Sequence, residues 1–122
     1  MSEQCGNAAR ELEKRKNWRS ATNRYYYAAF SAITAHLRKR TMEFPNGYEH
    51  PPHRQVGRFI KRYLVELPKA DRDELRDALA RLYRAREDAD YRHEISLAHD
   101  TVRQSRLDYD YVKSTIETLT PA

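Results

Sequence analysis

Apolar side chains return every three or four positions along almost the whole chain, and an alternating pattern is not sustained anywhere. This rhythm predicts helices packed through one face. A first short helix is expected over about 4–16, with Cys5, Ala9 and Leu12 as a thin apolar stripe. A second is expected from about Trp18 to Thr41. There Trp18, Ala21, Tyr25, Ala28, Ala32 and Ala35 form one stripe, and Tyr26, Phe30, Ile33 and Leu37 form another beside it. Two adjoining stripes make a wide apolar arc, which places this helix at the centre of the fold.

Pro45, Asn46, Gly47, Pro51 and Pro52 mark a loop. A third helix is expected from about His53 to Leu67, with Val56, Ile60, Tyr63 and Leu67 on one side, ended by Pro68. Asp71 and Glu74 suit the first turn of a fourth helix, whose inner face steps through Leu75, Leu79, Leu82, Arg86, Ala89 and His93. A last helix carries Ile95, Ala98, Val102, Ser105, Tyr109, Val112, Ile116 and Leu119 in the same rhythm. Residues 69–120 contain neither Gly nor Pro. A single helix of that length is unusual in so small a chain, so a break is expected near Tyr91–Ser96, with Ser96 as N-cap. The predicted fold class is all-α: one domain over 1–122, core about 8–118, built as an up-down bundle of four long helices plus a short N-terminal one.

Composition adds limits. The chain is 34% charged, with a mean hydropathy of −1.00, yet 11% of its residues are aromatic. That aromatic share separates it from disordered chains. With one cysteine, Cys5, neither an internal disulfide nor a cysteine metal site is possible. No apolar run approaches the roughly 20 residues of a membrane span, so a reducing cytoplasm is the expected location and no membrane partner is expected. Charge is uneven: residues 10–65 carry thirteen Lys/Arg against four Asp/Glu, and residues 66–122 carry ten against thirteen. A basic half attracts polyanions, nucleic acid above all.

Two residues on the fourth helix carry the candidate chemistry. Arg86 stands where the inner stripe calls for an apolar residue, and His93 takes the next equivalent place. Seven residues bring a side chain back to nearly the same helix face, about 10 Å along the axis. A charged group on a packing face is costly unless it is paired or faces a polar cleft. An Arg86–Asp90 pair at helix spacing with a satisfied histidine is one reading; a cleft that takes a phosphodiester is the other. In such a cleft the imidazole moves the proton of an RNA 2′-hydroxyl, or that of the leaving oxygen, near neutral pH. The guanidinium stabilises the charged phosphorane through forked hydrogen bonds. No metal or other cofactor is called for. The only metal-like spacing is Asp90-x-x-His93, short of the several segments a bundle metal site uses. Asn23 and Arg24 lie on the second helix as candidate supports or RNA contacts, with Asp90 and Tyr91 beside the pair on the fourth. Tyr25, Tyr26 and Tyr27 read as core and interface packing, although base stacking is open to them.

The run Asn23-Arg24-Tyr25-Tyr26-Tyr27-Ala28-Ala29-Phe30 and the Arg86-x-x-Ala89-Asp90-Tyr91 pattern together resemble the HEPN superfamily (higher eukaryote and prokaryote nucleotide-binding), in its small stand-alone prokaryotic branch. His53-Arg54-Gln55-Val56-Gly57-Arg58-Phe59 looks like that branch's third helix. The resemblance implies an all-α bundle that forms a homodimer. Its active members are metal-independent endoribonucleases with an Arg-x(4–6)-His motif, whose upper limit Arg86 and His93 fit. Many are toxins held in check by a nucleotidyltransferase antitoxin, and others act in phage defence. In the toxin branch a tyrosine two places after the histidine is modified by the antitoxin. Ile95 stands there, which argues against that mode of control. A catalytically silent module binding RNA, nucleotide or a nucleotidyltransferase is the alternative reading.

Overall fold

The computed structural model describes residues 2–40, 53–91 and 95–119. Five helices lie among them: α1 (Ser2–Lys14), α2 (Trp18–Arg38), α3 (His53–Tyr63), α4 (Lys69–Tyr91) and α5 (Ile95–Glu117). The all-α bundle that the apolar rhythm predicts is present.

The wide arc of α2 has the expected consequence: α2 packs against each of the other four helices. Ala21, Tyr25, Tyr26, Ala28, Ala29, Phe30, Ile33 and Leu37 are all buried. The stripe through Ala32 and Ala35 runs out toward solvent, Ala32 being half-buried and Ala35 exposed. Thr22 and Thr34 are buried instead. Thr34 stays in the helix by donating its hydroxyl to the carbonyl of Phe30 at 2.9 Å. α2 ends at Arg38, three residues short of Thr41.

α1 doubles back onto α2 through a turn that closes its orphan carbonyls. Lys16 takes a positive φ of 59°. The Asn17 amide then reaches the Leu12 carbonyl at 2.8 Å and the Lys16 amide reaches Glu13 at 3.0 Å, the paired bonds of a Schellman ending. Ala9 is buried while Cys5 and Leu12 are half-buried, as the thin stripe predicts. Glu13 fastens α1 to two helices at once, accepting from the Tyr25 hydroxyl at 2.8 Å and from Arg106 Nη1 at 2.7 Å.

α3 stops at Tyr63, four residues before the predicted Leu67. Pro68 disfavours helical geometry in the residue before it, so the chain leaves the helix early. Leu64 and Leu67 are nonetheless buried, because burial follows the face they present. Asp71 lies in the first turn of α4 as expected, but Glu74 does not. Glu74 instead meets Arg81 Nη2 at 2.7 Å. α4 ends at Tyr91 and α5 begins at Ile95, so the predicted break is there. Ser96 consequently falls inside α5, not at its cap. α5 buries Val102, Ser105, Tyr109, Val112 and Ile116, with Leu119 just beyond it. Among the described residues, no helix is long and apolar enough to cross a membrane.

Candidate functional site

α2 and α4 lie side by side and run in opposite directions: Arg19 meets Ala89, and Asn23, one turn later on α2, meets Arg86, one turn earlier on α4. Arg19 Nε donates to the Ala89 carbonyl at 3.1 Å. That carbonyl lies in the last turn of α4, at the negative end of its dipole. A cation from the neighbouring helix thus closes the end of α4 next to the candidate site. This contact was not foreseen.

Arg86 is half-buried on the face shared with α2. Its Nε donates to Asn23 Oδ1 at 3.1 Å. Three tyrosine rings surround the guanidinium carbon: Tyr27 at 5.4 Å, Tyr26 at 5.5 Å and Tyr83 at 5.7 Å from centroid to carbon. The rings also hold one another, Tyr26 meeting Tyr27 edge-on at 5.1 Å and Tyr83 at 5.6 Å. Each face contributes cation–π attraction, so a charge on the packing side of α4 is compensated by ring quadrupoles. Burial pushes the Tyr26 hydroxyl well above the usual tyrosine range, and the charge of Arg86 opposes part of that shift. Tyr26 therefore stays a neutral phenol beside the guanidinium.

Asn23 and the aromatic faces occupy Nε and the plane of Arg86. Its two Nη nitrogens, the fork that grips a phosphate from both sides, have no hydrogen-bond partner among the described residues. A guanidinium held by its stem and open at its tips suits an oxyanion of fixed position.

The predicted residues fare differently. Asn23 and Arg86 are brought together, across 63 positions of sequence. Arg24, next to Asn23, is exposed and forms no ion pair with a described residue. Asp90 and Tyr91 end α4, and their side chains lie outside the described residues, as does His93. Of the three consecutive tyrosines, Tyr25 and Tyr26 are buried, as packing predicts, whereas Tyr27 is 41% exposed. Tyr83 was overlooked. The signal was present: it precedes Arg86 by three residues, and Tyr26 and Tyr27 follow Asn23 by three and four. These spacings place all five side chains on the two facing surfaces.

No curated protein and no solved structure gives a match to this chain. The family model described as the HEPN domain matches residues 1–119, nearly the full length. With its five described helices and the two motifs that meet at Arg86, the chain belongs to the HEPN-domain family.

Proposed function

We propose that this HEPN protein is a metal-independent endoribonuclease, with Arg86 as the phosphate-binding cation and His93 as the proton-transfer group. The observation that carries the proposal is the state of Arg86. A costly charge sits on a packing face, fixed through Nε and three rings, and among the described residues neither Nη meets an acceptor.

In the reaction, the ribose 2′-oxygen attacks the adjacent phosphorus and the bond to the 5′-oxygen breaks. The proton of the 2′-hydroxyl passes to an imidazole, and the leaving oxygen takes a proton from an imidazolium. Arg86 offsets the charge that builds on the phosphorane. The products are a 2′,3′-cyclic phosphate and a 5′-hydroxyl. DNA lacks the attacking hydroxyl and survives. A two-fold homodimer supplies a second Arg86–His93 pair at one groove. A toxin or phage-defence role in the cytoplasm is the biological setting we assign to this activity; a nucleotidyltransferase antitoxin would have to act other than on a tyrosine two places after His93, where Ile95 stands.

The test is digestion of single-stranded RNA by purified protein in EDTA. Cutting with cyclic phosphate ends is expected, lost in both Arg86→Ala and His93→Ala while the far-UV spectrum persists. Normal cutting by both variants rejects the site. RNA binding without turnover in the wild type identifies a silent module.

A further inference from the structure

We propose that the outer face of α3 is a second contact surface for RNA, gripping the phosphate backbone far from Arg86. The inference rests on the reading of RNA as substrate.

α3 reads HRQVGRFIKRY and contains no aspartate or glutamate. Its inner face is used up: Val56 and Ile60 are fully buried, with Phe59 and Tyr63 packed beside them. On the other side, Arg58, Lys61 and Arg62 are exposed. Their spacing of three and four places them on one stripe. Like charges at that spacing repel and weaken a helix. Here no carboxylate on the same helix relieves them.

Among the described residues, neighbouring acids relieve them little. Glu66, just beyond α3, is taken by the Arg40 guanidinium from the end of α2. Asp73 on α4 lies 3.7 Å from Lys61 Nζ and 3.8 Å from Arg76 Nη1, two long contacts shared by one carboxylate. Arg62 lies over the ring of Tyr63 at 5.4 Å and stays exposed. Exposed Lys39 on the turn after α2 adds a further cation, brought near by the Arg40–Glu66 contact.

A run of exposed cations on one stripe suits a polyanion. A lipid surface would need apolar side chains beside them, and on α3 those are committed to the core. Position separates this face from the cutting site. Arg86 lies toward the end of α4, whereas α3 meets its start: Lys61 Nζ lies 3.7 Å from Asp73, and the Lys61 carbonyl accepts from Arg72 Nη1 at 2.6 Å. Thirteen residues of helix from Asp73 to Arg86 span about 20 Å. Contacts of this kind carry no sequence information. They raise affinity and set the direction in which a long strand crosses the molecule.

The experiment measures binding of 2′-O-methyl RNA, which cannot be cut, at several salt concentrations. Wild type is compared with Arg58→Gln/Lys61→Gln/Arg62→Gln. With single-stranded slopes of about 0.7 per phosphate, three lost contacts should lower the log–log salt slope by about 2. Affinity for an RNA of about 16 nucleotides should fall at least roughly 10-fold at low salt, and affinity for one of about 4 nucleotides much less. The double variant Arg58→Gln/Arg62→Gln, which keeps the Lys61–Asp73 contact, should show about two thirds of the slope change. An unchanged slope overturns the proposal. So does an equal loss for both RNA lengths, or loss of binding to phosphatidylserine vesicles with RNA binding intact. Each of these is separate from the cleavage assay, which judges Arg86 and His93.

Discussion

Asn23 accepts a hydrogen bond from Arg86 Nε at 3.1 Å, and this contact sets the plane of the guanidinium among its three tyrosines. Asn23→Ala removes the acceptor and leaves the rings. A hydrogen bond to a charged group contributes about 1.5–3 kcal/mol. If the aromatic cage retains half of the positioning, cleavage should fall on the order of 10-fold, since about 1.4 kcal/mol corresponds to one decade. Asn23→Asp is the sharper variant. It adds a carboxylate that competes with the phosphate for Arg86, so KM for RNA should rise more than in Asn23→Ala. A purely structural Asn23 would give the opposite order, because the new ion pair would strengthen the α2–α4 contact.

Gly6 on α1 is a second close approach. A Cβ added there would lie 2.2 Å from Tyr109 Oη and 2.7 Å from Cζ. Tyr109 cannot swing aside easily: it is 2% exposed and its ring lies 5.6 Å from that of Tyr25. Overpacking of this kind costs about 1–3 kcal/mol, against about 1 kcal/mol gained by replacing a helical glycine with alanine. Gly6→Ala should therefore lower stability by about 1 kcal/mol, or roughly 4 °C in Tm. In a Tyr109→Phe background the hydroxyl is gone but the ring edge at 2.7 Å stays, so only part of the penalty should vanish, whereas Tyr109→Leu, which removes the ring, should relieve Gly6→Ala further. A melting temperature that rises in the single variant would show that α1 sits further from α5 than described.

Asp108 is the buried charge that holds α4 against α5. It is 4% exposed and accepts from Arg81 Nε and Nη2 at 3.0–3.2 Å and from Gln104 at 3.2 Å. Asp108 and Glu74 together raise the Arg81 pKa further above its ordinary value. Breaking a buried pair on one side costs about 3–5 kcal/mol. Arg81 is about one-third exposed, and water relieves part of that, so Asp108→Ala should cost about 2–3 kcal/mol. Thermal melting should show a fall of roughly 10 °C. Replacing both partners, Arg81→Met with Asp108→Leu, should recover most of the loss, and the double-mutant cycle gives the coupling directly.

The sequence made some of these features legible and concealed others for a physical reason. Periodicity reports which face of a helix is buried, so the central place of α2 and the break after Tyr91 could be read from one strand of text. Arg86 stood out because it broke the apolar rhythm. Asn23 was legible as a candidate support, but its hydrogen bond to Arg86 Nε comes only through the register of two antiparallel helices, which no local pattern encodes. Asp108 was hidden because its partner Arg81 lies 27 positions away on α4, beyond any local pattern. The overrun of α3 to Leu67 came from equating burial with helix, when Leu64 and Leu67 are buried beyond the helix end.

The end of α2 should respond to acid in two steps. Arg40 Nη1 donates to the His36 carbonyl at 3.0 Å and lies 3.4 Å from His36 Nδ1, while its other nitrogens reach Glu66. Burial, then Arg40 and Lys39, lower the pKa of His36 below its ordinary 6.5, with Glu66 opposing. The folded state thus binds this proton less readily than the unfolded chain. Its contribution is present above pH 6.5 and is lost as pH falls through the lower folded value. The Arg40 hydrogen bond also lowers the Glu66 carboxyl below its ordinary 4.5, so that contribution is lost only in a second, more acidic window. Melting temperature should therefore decline on acidification below about pH 6.5, before carboxylates titrate. His36→Asn puts an amide oxygen near the place of Nδ1 and cannot charge. It should flatten the first decline and leave the second, whereas Glu66→Gln should do the reverse. Parallel pH profiles for wild type and His36→Asn would remove His36 as the acid-sensitive group at this junction.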